Sequence, residues 1–381
     1  MTIAAVGIGA LVATGNPATA DPKQFNAATG VGSDTTQDVM NALAGFTNTS
    51  SYTPAQSSAA SGRRQLTSWD ATGSACITPK APGATFTRPN GSTGGRRALS
   101  RSIDGSGYDA ANCGGGLKVI SGLVQYARSS AGPSGSGTAL TYIPFGRDAL
   151  SFGYYANGVA PVTTLTSAQL TSLFRNGPAT IDGVEIVPCG IQLGSGTYQF
   201  WNTATGNTAD QEATGTQVCN SAALDAGLNP NLSGRSQEND ASALKARGDL
   251  PAFAGKQVII GFSAANFISQ SNGVVASQLP AGGVVKLGAI DALGLPHTGT
   301  APSLSPSSGF YASTTYGRDV YNVLSKGLLD NPGNNDIKTL FVGSTSGVCT
   351  STSTIQTFGF LSLGADCGST TLTGPLVTGT L

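Results

Sequence analysis

Three times along this chain a run of glycines and hydroxyl residues leads directly into a segment with helical apolar spacing, and that recurrence limits the folds open to it. The first run is Gly30-Val31-Gly32-Ser33-Asp34-Thr35-Thr36-Gln37-Asp38, after which Val39, Met40, Leu43 and Phe46 repeat at helical spacing until Gly45 and Thr47 end the pattern. The second is Asn90-Gly91-Ser92-Thr93-Gly94-Gly95, ahead of a short helix through Arg96, Arg97 and Leu99. The third is Leu193-Gly194-Ser195-Gly196-Thr197, ahead of Tyr198, Phe200 and Trp201. Thr35 and Asp38 fit a capping box, the hydroxyl and the acid each reaching for backbone N–H groups at the helix start. A helix start also carries unpaired N–H groups and the positive end of the helix dipole, so a Ser/Thr approach to it suits an oxyanion. One such turn reads as an ordinary capped helix. Three in one chain favour an anion cradle.

Between these turns, extended and helical patterns alternate. Gly122 to Pro133 reads as a strand that stops in a polar turn. Leu140 to Phe145 and Ala149 to Tyr155 are extended, with Gly146-Arg147-Asp148 as a crossing point. Thr166-Ser167-Ala168-Gln169 caps a helix carrying Leu170, Leu173 and Phe174, and a strand follows at Val184 to Pro188. Further on come a strand at Gln257 to Phe262, a helix at Ala264 to Ser269, a strand at Gly283 to Leu287 and a helix at Gly317 to Lys326. This alternation predicts an α/β fold with largely parallel sheets.

At 381 residues the chain is long enough for two cores. Lys and Arg balance Asp and Glu at 20 each, which argues against bulk nucleic-acid binding, and 39% hydrophobic residues argue against wholesale disorder. Residues 1–20 read as a signal peptide. Ile3 to Ala13 is an apolar run, Ala18-Thr19-Ala20 a small-x-small site, and no Lys or Arg precedes the run. The mature protein is expected to be exported, either secreted or held in the extracytoplasmic envelope. Cys76, Cys113, Cys189, Cys219, Cys349 and Cys367 contain no C-x-x-C pair, and only one histidine accompanies them, so disulfides fit better than a metal site. Six cysteines allow about 15 pairings. The sequential set, each bridge closing a loop within one apparent segment, is the expected one.

The order of motifs resembles the phosphate-binding substrate-binding proteins of ABC importers, in the type 2 solute-binding superfamily, over about residues 30–360. Gly91-Ser92-Thr93-Gly94-Gly95 is similar to that family's Gly-Ser-x-Gly-Gly turn. Tyr126-Ala127-Arg128-Ser129-Ser130-Ala131 stands where the family has an aromatic, small residues and Ser-Asp-Ala. Leu165 to Phe174 resembles its Leu-Thr-x-x-Gln-Leu helix, Gly194-Ser195-Gly196-Thr197 its Gly-Ser-Gly-Thr motif, and Gly261-Phe262 the Gly-Tyr of its return strand. The resemblance implies a two-lobed periplasmic-binding-protein-like fold, lobe 1 from 24–146 plus 262–381 and lobe 2 from 147–261. Two crossing strands would join the lobes, with the ligand cleft between them. It implies a non-enzymatic monomer with no cofactor, holding a small oxyanion, phosphate first, for an ABC permease partner. The residues it draws to the cleft are Ser33, Asp34, Thr35, Thr36, Ser92, Thr93, Arg128, Ser129, Ser130, Ser195, Gly196 and Thr197.

Departures from the family pattern matter. Its aspartate after Ser falls at Ser130, and its arginine and aspartate before Gly-Ser-Gly-Thr fall at Ile191 and Leu193. Arg128 is the expected replacement cation, and Asp34 the carboxylate that would accept a proton from hydrogen phosphate or else cap the helix. Two alternatives stand beside this reading. One is a two-lobed adhesion or envelope protein that has lost or changed its ligand. The other is a secreted phosphatase-like hydrolase, for which Ser195 would be the nucleophile and His297 the base, although Gly-Ser-Gly lacks the Gly-x-Ser-x-Gly spacing.

Overall fold

The structure, a computed structural model, describes residues 28–60, 63–108, 113–207, 219 and 235–379. The expected signal peptide at 1–20 lies outside the described residues. A ten-stranded mixed sheet organises the chain. Its strands are β1 (Ala28–Gly32), β2 (Leu66–Ser68), β3 (Tyr126–Ser129), β4 (Leu140–Ala156), β5 (Ala179–Ile181), β6 (Val184–Pro188), β7 (Gln257–Ser263), β8 (Val285–Leu287), β9 (Gly317–Ser325) and β10 (Thr373–Gly374). The spatial order is β2-β1-β3-β9-β4-β7-β6-β5, with β8 and β10 pairing with β4 off this path. The helices that matter below are α1 (Gln37–Leu43), α2 (Gly91–Asp104), α3 (Ser167–Asn176), α4 (Gly196–Thr205), α5 (Ala241–Gly248) and α6 (Ala264–Ser271).

β4 is the spine. Both segments expected to be extended belong to one strand of 17 residues, buried on both faces along most of its length, which explains its nearly continuous apolar sequence. Its first half runs antiparallel to β9 and its second half antiparallel to β7. Pro144 has no N–H to give a ladder, and the β4–β9 register slips there: Tyr321 faces Pro144 while Val320 faces Gly146, leaving Phe145 as an extra residue.

Three cores follow from this layout. Val31, Leu99, Ala127 and Val323 pack on one face of the first lobe's sheet, and Met40, Leu43, Phe145, Val320 and Phe358 on the other. A third core gathers Phe152, Leu170, Phe174, Trp201, Ile259 and Phe262 in the second lobe. α6 sits at the junction, giving Ala265 to a first-lobe core and Ala264, Phe267 and Ile268 to the second-lobe core.

Several expectations change here. The sheet is mixed rather than largely parallel: β1 pairs in parallel with β2 and β3, and β7 with β6, but every contact of β4 is antiparallel. Gly317–Ser325 is a strand, not a helix. Residues expected with lobe 1 pack in lobe 2, since β8 pairs with the second half of β4 and Val285, Ile290, Phe310, Tyr311 and Tyr316 enter the second core. α2 begins at Gly91 itself, so the glycine turn forms its first turn. The capping box at Thr166 and Gln169 forms on α3. The bridges Cys76–Cys113, Cys189–Cys219 and Cys349–Cys367 are the sequential set.

Candidate functional site

Close backbone approach brings the three glycine turns together. Gly32, at φ 115°, lets the end of β1 lie against α2, because a Cβ there would sit 2.8 Å from the Arg128 carbonyl oxygen and 2.9 Å from Gly95 Cα. The Thr93 N–H donates to the Gly194 carbonyl across the lobes at 2.9 Å. Gly196 opens α4 directly against the hydroxyls of Ser92 and Ser130, where a Cβ would collide with both.

These contacts build a chain of buried hydroxyls. Ser33 Oγ donates to Ser130 Oγ at 3.1 Å, and Ser92 Oγ lies 3.4 Å from Ser130 Oγ while accepting the Ser130 N–H at 3.0 Å. Thr35 Oγ1 and Thr197 Oγ1, from opposite lobes, are 3.1 Å apart. Arg318 of β9 supplies the cation among them. Its Nη2 donates to Thr197 Oγ1 at 3.0 Å and to Thr35 Oγ1 at 3.4 Å, and its Nη1 to the Ser130 carbonyl at 3.1 Å. Asp148 of β4 holds this guanidinium through Oδ2 at 2.9 Å, with side-chain exposures of 3% and 0%. The other oxygen of Asp148 accepts from Ser263 Oγ and from the Ala265 N–H at the start of α6. One ion pair therefore anchors the cation, the spine and the junction helix.

A carboxylate closes the other side. Thr35 donates to Glu238 Oε2 at 3.1 Å, which leaves the Thr35 oxygen free to accept from Thr197 and Arg318. The Glu238 backbone N–H donates to Gln192 Oε1 at 2.6 Å. Among the described residues, Glu238 Oε1, Gln192 Nε2, Thr36 Oγ1 and Ser236 Oγ are buried without a hydrogen-bond partner. Such orphans cost about 1–3 kcal/mol each, so a complementary partner would be strongly favoured. Next to them Asp34 accepts from Asn239 Nδ2 at 3.0 Å and Gln237 Nε2 at 3.3 Å. Burial first, then the nearby Glu238, raises the Asp34 carboxyl well above its usual range, while the Asn239 bond pulls the other way. Asp38 is pushed up to about 7 by burial and by Asp70, opposed by Arg128.

Of the residues expected in the cleft, Ser33, Thr35, Ser92, Ser130, Gly196 and Thr197 come together in one buried cluster. Asp34 faces the second lobe's amides. The Thr35–Asp38 capping box does not form, because Thr35 is drawn into the interlobe network and Thr36 takes the cap position without a side-chain bond. Thr93 accepts from Gln199 Nε2 at 2.7 Å and from Arg96. Ser129 turns back to the Ala131 carbonyl at 2.7 Å. Arg128 does not stand in for the missing cation: its guanidinium donates to the carbonyls of Ser33 and Gly32 and to Ser68 Oγ, bracing the first turn from behind. The cation bonded to these hydroxyls is Arg318 and the carboxylate bonded to Thr35 is Glu238, neither of which the motifs indicate. Their only sequence signals are an arginine at the mouth of a long apolar strand and a polar run, Ser236-Gln237-Glu238-Asn239, before the Asp240 cap of α5.

The hydrolase arrangement is not formed. Ser195 Oγ accepts the Tyr198 N–H at 3.1 Å as the cap of α4, and His297 stacks on Phe267 instead. Among the described residues, no group of three or more His, Cys, Asp and Glu is placed to hold a metal ion, and no helix is long and apolar enough to cross a membrane.

No protein-family model and no curated protein matches the chain. Among solved structures it is similar to an ABC-type phosphate transport receptor from Vibrio cholerae, at 14% identity and a TM-score of 0.45 over 87% of this chain and 98% of that one. It is also similar to a phosphate-binding protein from Stenotrophomonas maltophilia, at 12% identity and a TM-score of 0.41 over 89% and 91% of the two chains. Likenesses at this level leave the reading of the site to its own geometry.

Proposed function

We propose that the chain is an extracytoplasmic binding protein for inorganic phosphate or a similar small oxyanion, captured between its lobes and passed to an ABC permease. One observation carries the reading: hydroxyls from four separate turns, the starts of α2 and α4 and a buried guanidinium converge on one place. Hydroxyls and N–H groups donate to the oxygens of a tetrahedral anion, and arginine balances its charge.

Glu238 sharpens the ligand class. Its free carboxylate oxygen calls for a donor, while Gln192 Nε2 needs an acceptor. Hydrogen phosphate offers both, whereas fully ionised sulfate offers no proton and would face the carboxylate unscreened. In this reading Glu238, rather than Asp34, selects the protonated anion.

Replacing Thr197 by Val or Ser92 by Ala should weaken phosphate binding by about 1 kcal/mol per lost hydrogen bond, read by calorimetry. Unchanged affinity in both variants would move the site elsewhere. The alternative of a two-lobed envelope protein without a ligand predicts no binding heat for any oxyanion.

A further inference from the structure

A cavity of about 820 Å3 opens in the second lobe between α6, β8 and residues 295–304. Its walls are mainly apolar, with Tyr154, Phe267, Leu279, Leu287 and Leu304 among them. Among the lining residues Leu295 exposes 43% of its surface. A hollow of this size, mainly apolar in its surface, has the dimensions of a small-molecule site.

Its polar groups are mostly uncharged. Lys286 is the one charged residue among those lining it, and it forms no ion pair or hydrogen bond among the described residues. In the β8–β4 pairing it stands directly opposite Tyr154, whose hydroxyl likewise has no partner among the described residues. His297 lies stacked on Phe267, ring centroids 5.7 Å apart and planes 18° from parallel. Its Nδ1 is buried and has no partner among the described residues. A lone cation beside aromatic rings and an unpartnered ring nitrogen complements a ligand with a flat apolar body and one acidic head.

We propose that this cavity is a second ligand site, for a small aromatic carboxylate whose rings occupy the Phe267–His297 wall and whose acid pairs with Lys286. The site is separate from the hydroxyl cluster but shares a helix with it. From α6, Asn266 Nδ2 donates to the Thr35 carbonyl at 2.9 Å, while Phe267 and Gln270 line the cavity.

Titration of the full chain with 2-naphthoate, read by its fluorescence, tests this against 2-naphthamide as the uncharged counterpart. Naphthoate should bind more tightly than naphthamide. Lys286→Met should weaken naphthoate about tenfold while leaving naphthamide unchanged, as expected for one lost charge-assisted bond. Ser271→Trp, which fills the cavity, should abolish binding of both. Phosphate titration of Lys286→Met should match the wild type, so failure here is distinguishable from failure of the oxyanion reading. No naphthoate binding, naphthoate no tighter than naphthamide, or equal naphthoate affinity in wild type and Lys286→Met would each overturn the proposal.

Discussion

Arg318 has two roles that mutation can separate. It balances the charge of a bound anion, and it is the partner of Asp148, a carboxylate with no exposure to solvent. Arg318→Met strands that carboxylate, so urea unfolding should show a loss of about 3–5 kcal/mol. Arg318→Met with Asp148→Asn removes both charges but keeps acceptors for Ser263 and Ala265, so most stability should return while phosphate binding does not. Return of binding in the double variant would remove Arg318 from the site. Asp38 makes a second test. A carboxyl at about 7 in the folded chain, against about 4 when unfolded, holds a proton that the unfolded chain has released. Its contribution to stability is therefore full below about pH 4 and lost as the pH rises through about 7. The thermal midpoint should drop between pH 5 and pH 7.5, and by less in Asp38→Asn; equal drops would place the titration elsewhere. At this scale the sequence shows what is encoded locally. Ser33, Thr35, Ser92 and Thr197 stand in Gly-rich turns that announce themselves, and Ser130 in the polar turn after β3. Arg318 reaches Thr35 from 283 positions away, and Glu238 from 203, so no local pattern points to either.

The glycine turns carry the site at the scale of elements. Gly196→Ala puts a methyl group where the Ser92 and Ser130 hydroxyls lie, so α4 must retreat from the first lobe. Phosphate affinity should fall by on the order of 1–3 kcal/mol, with far-UV circular dichroism unchanged, because the helix itself tolerates alanine. Equal affinity would mean that the lobes need not meet at Gly196. Most helices and strands were readable from period and caps, Thr166-Ser167-Ala168-Gln169 being the clearest case. β9 was not. Val320, Val323 and Leu324 fall at spacings of three and four that imitate a helix, yet the strand lies between β3 and β4 and is largely buried, so nothing imposes the alternation that marks a half-exposed strand.

For the whole molecule, β4 serves both lobes, and β7 and β9 complete the junction. Gly146-Arg147-Asp148, which interrupts an apolar run, comes shortly before the point where β4 exchanges β9 for β7 as its neighbour. The membership of residues 285–316 was not legible, because it depends on β8 pairing with the far half of β4. The bridge Cys349–Cys367 spans 18 residues of the first lobe, and Cys349→Ala with Cys367→Ala should cost about 3 kcal/mol of unfolding free energy by loop closure alone. No loss would mean that this segment is held by packing without the bridge. In the proposed function, hydroxyls of both lobes, Arg318 and Glu238 together hold a protonated oxyanion. Calorimetric titration of the full chain at pH 7 with phosphate and then sulfate tests it most directly. Phosphate should bind saturably and at least about tenfold tighter than sulfate, a gap of roughly 1.4 kcal/mol. Absence of heat with both anions, or sulfate binding as tightly as phosphate, would contradict it.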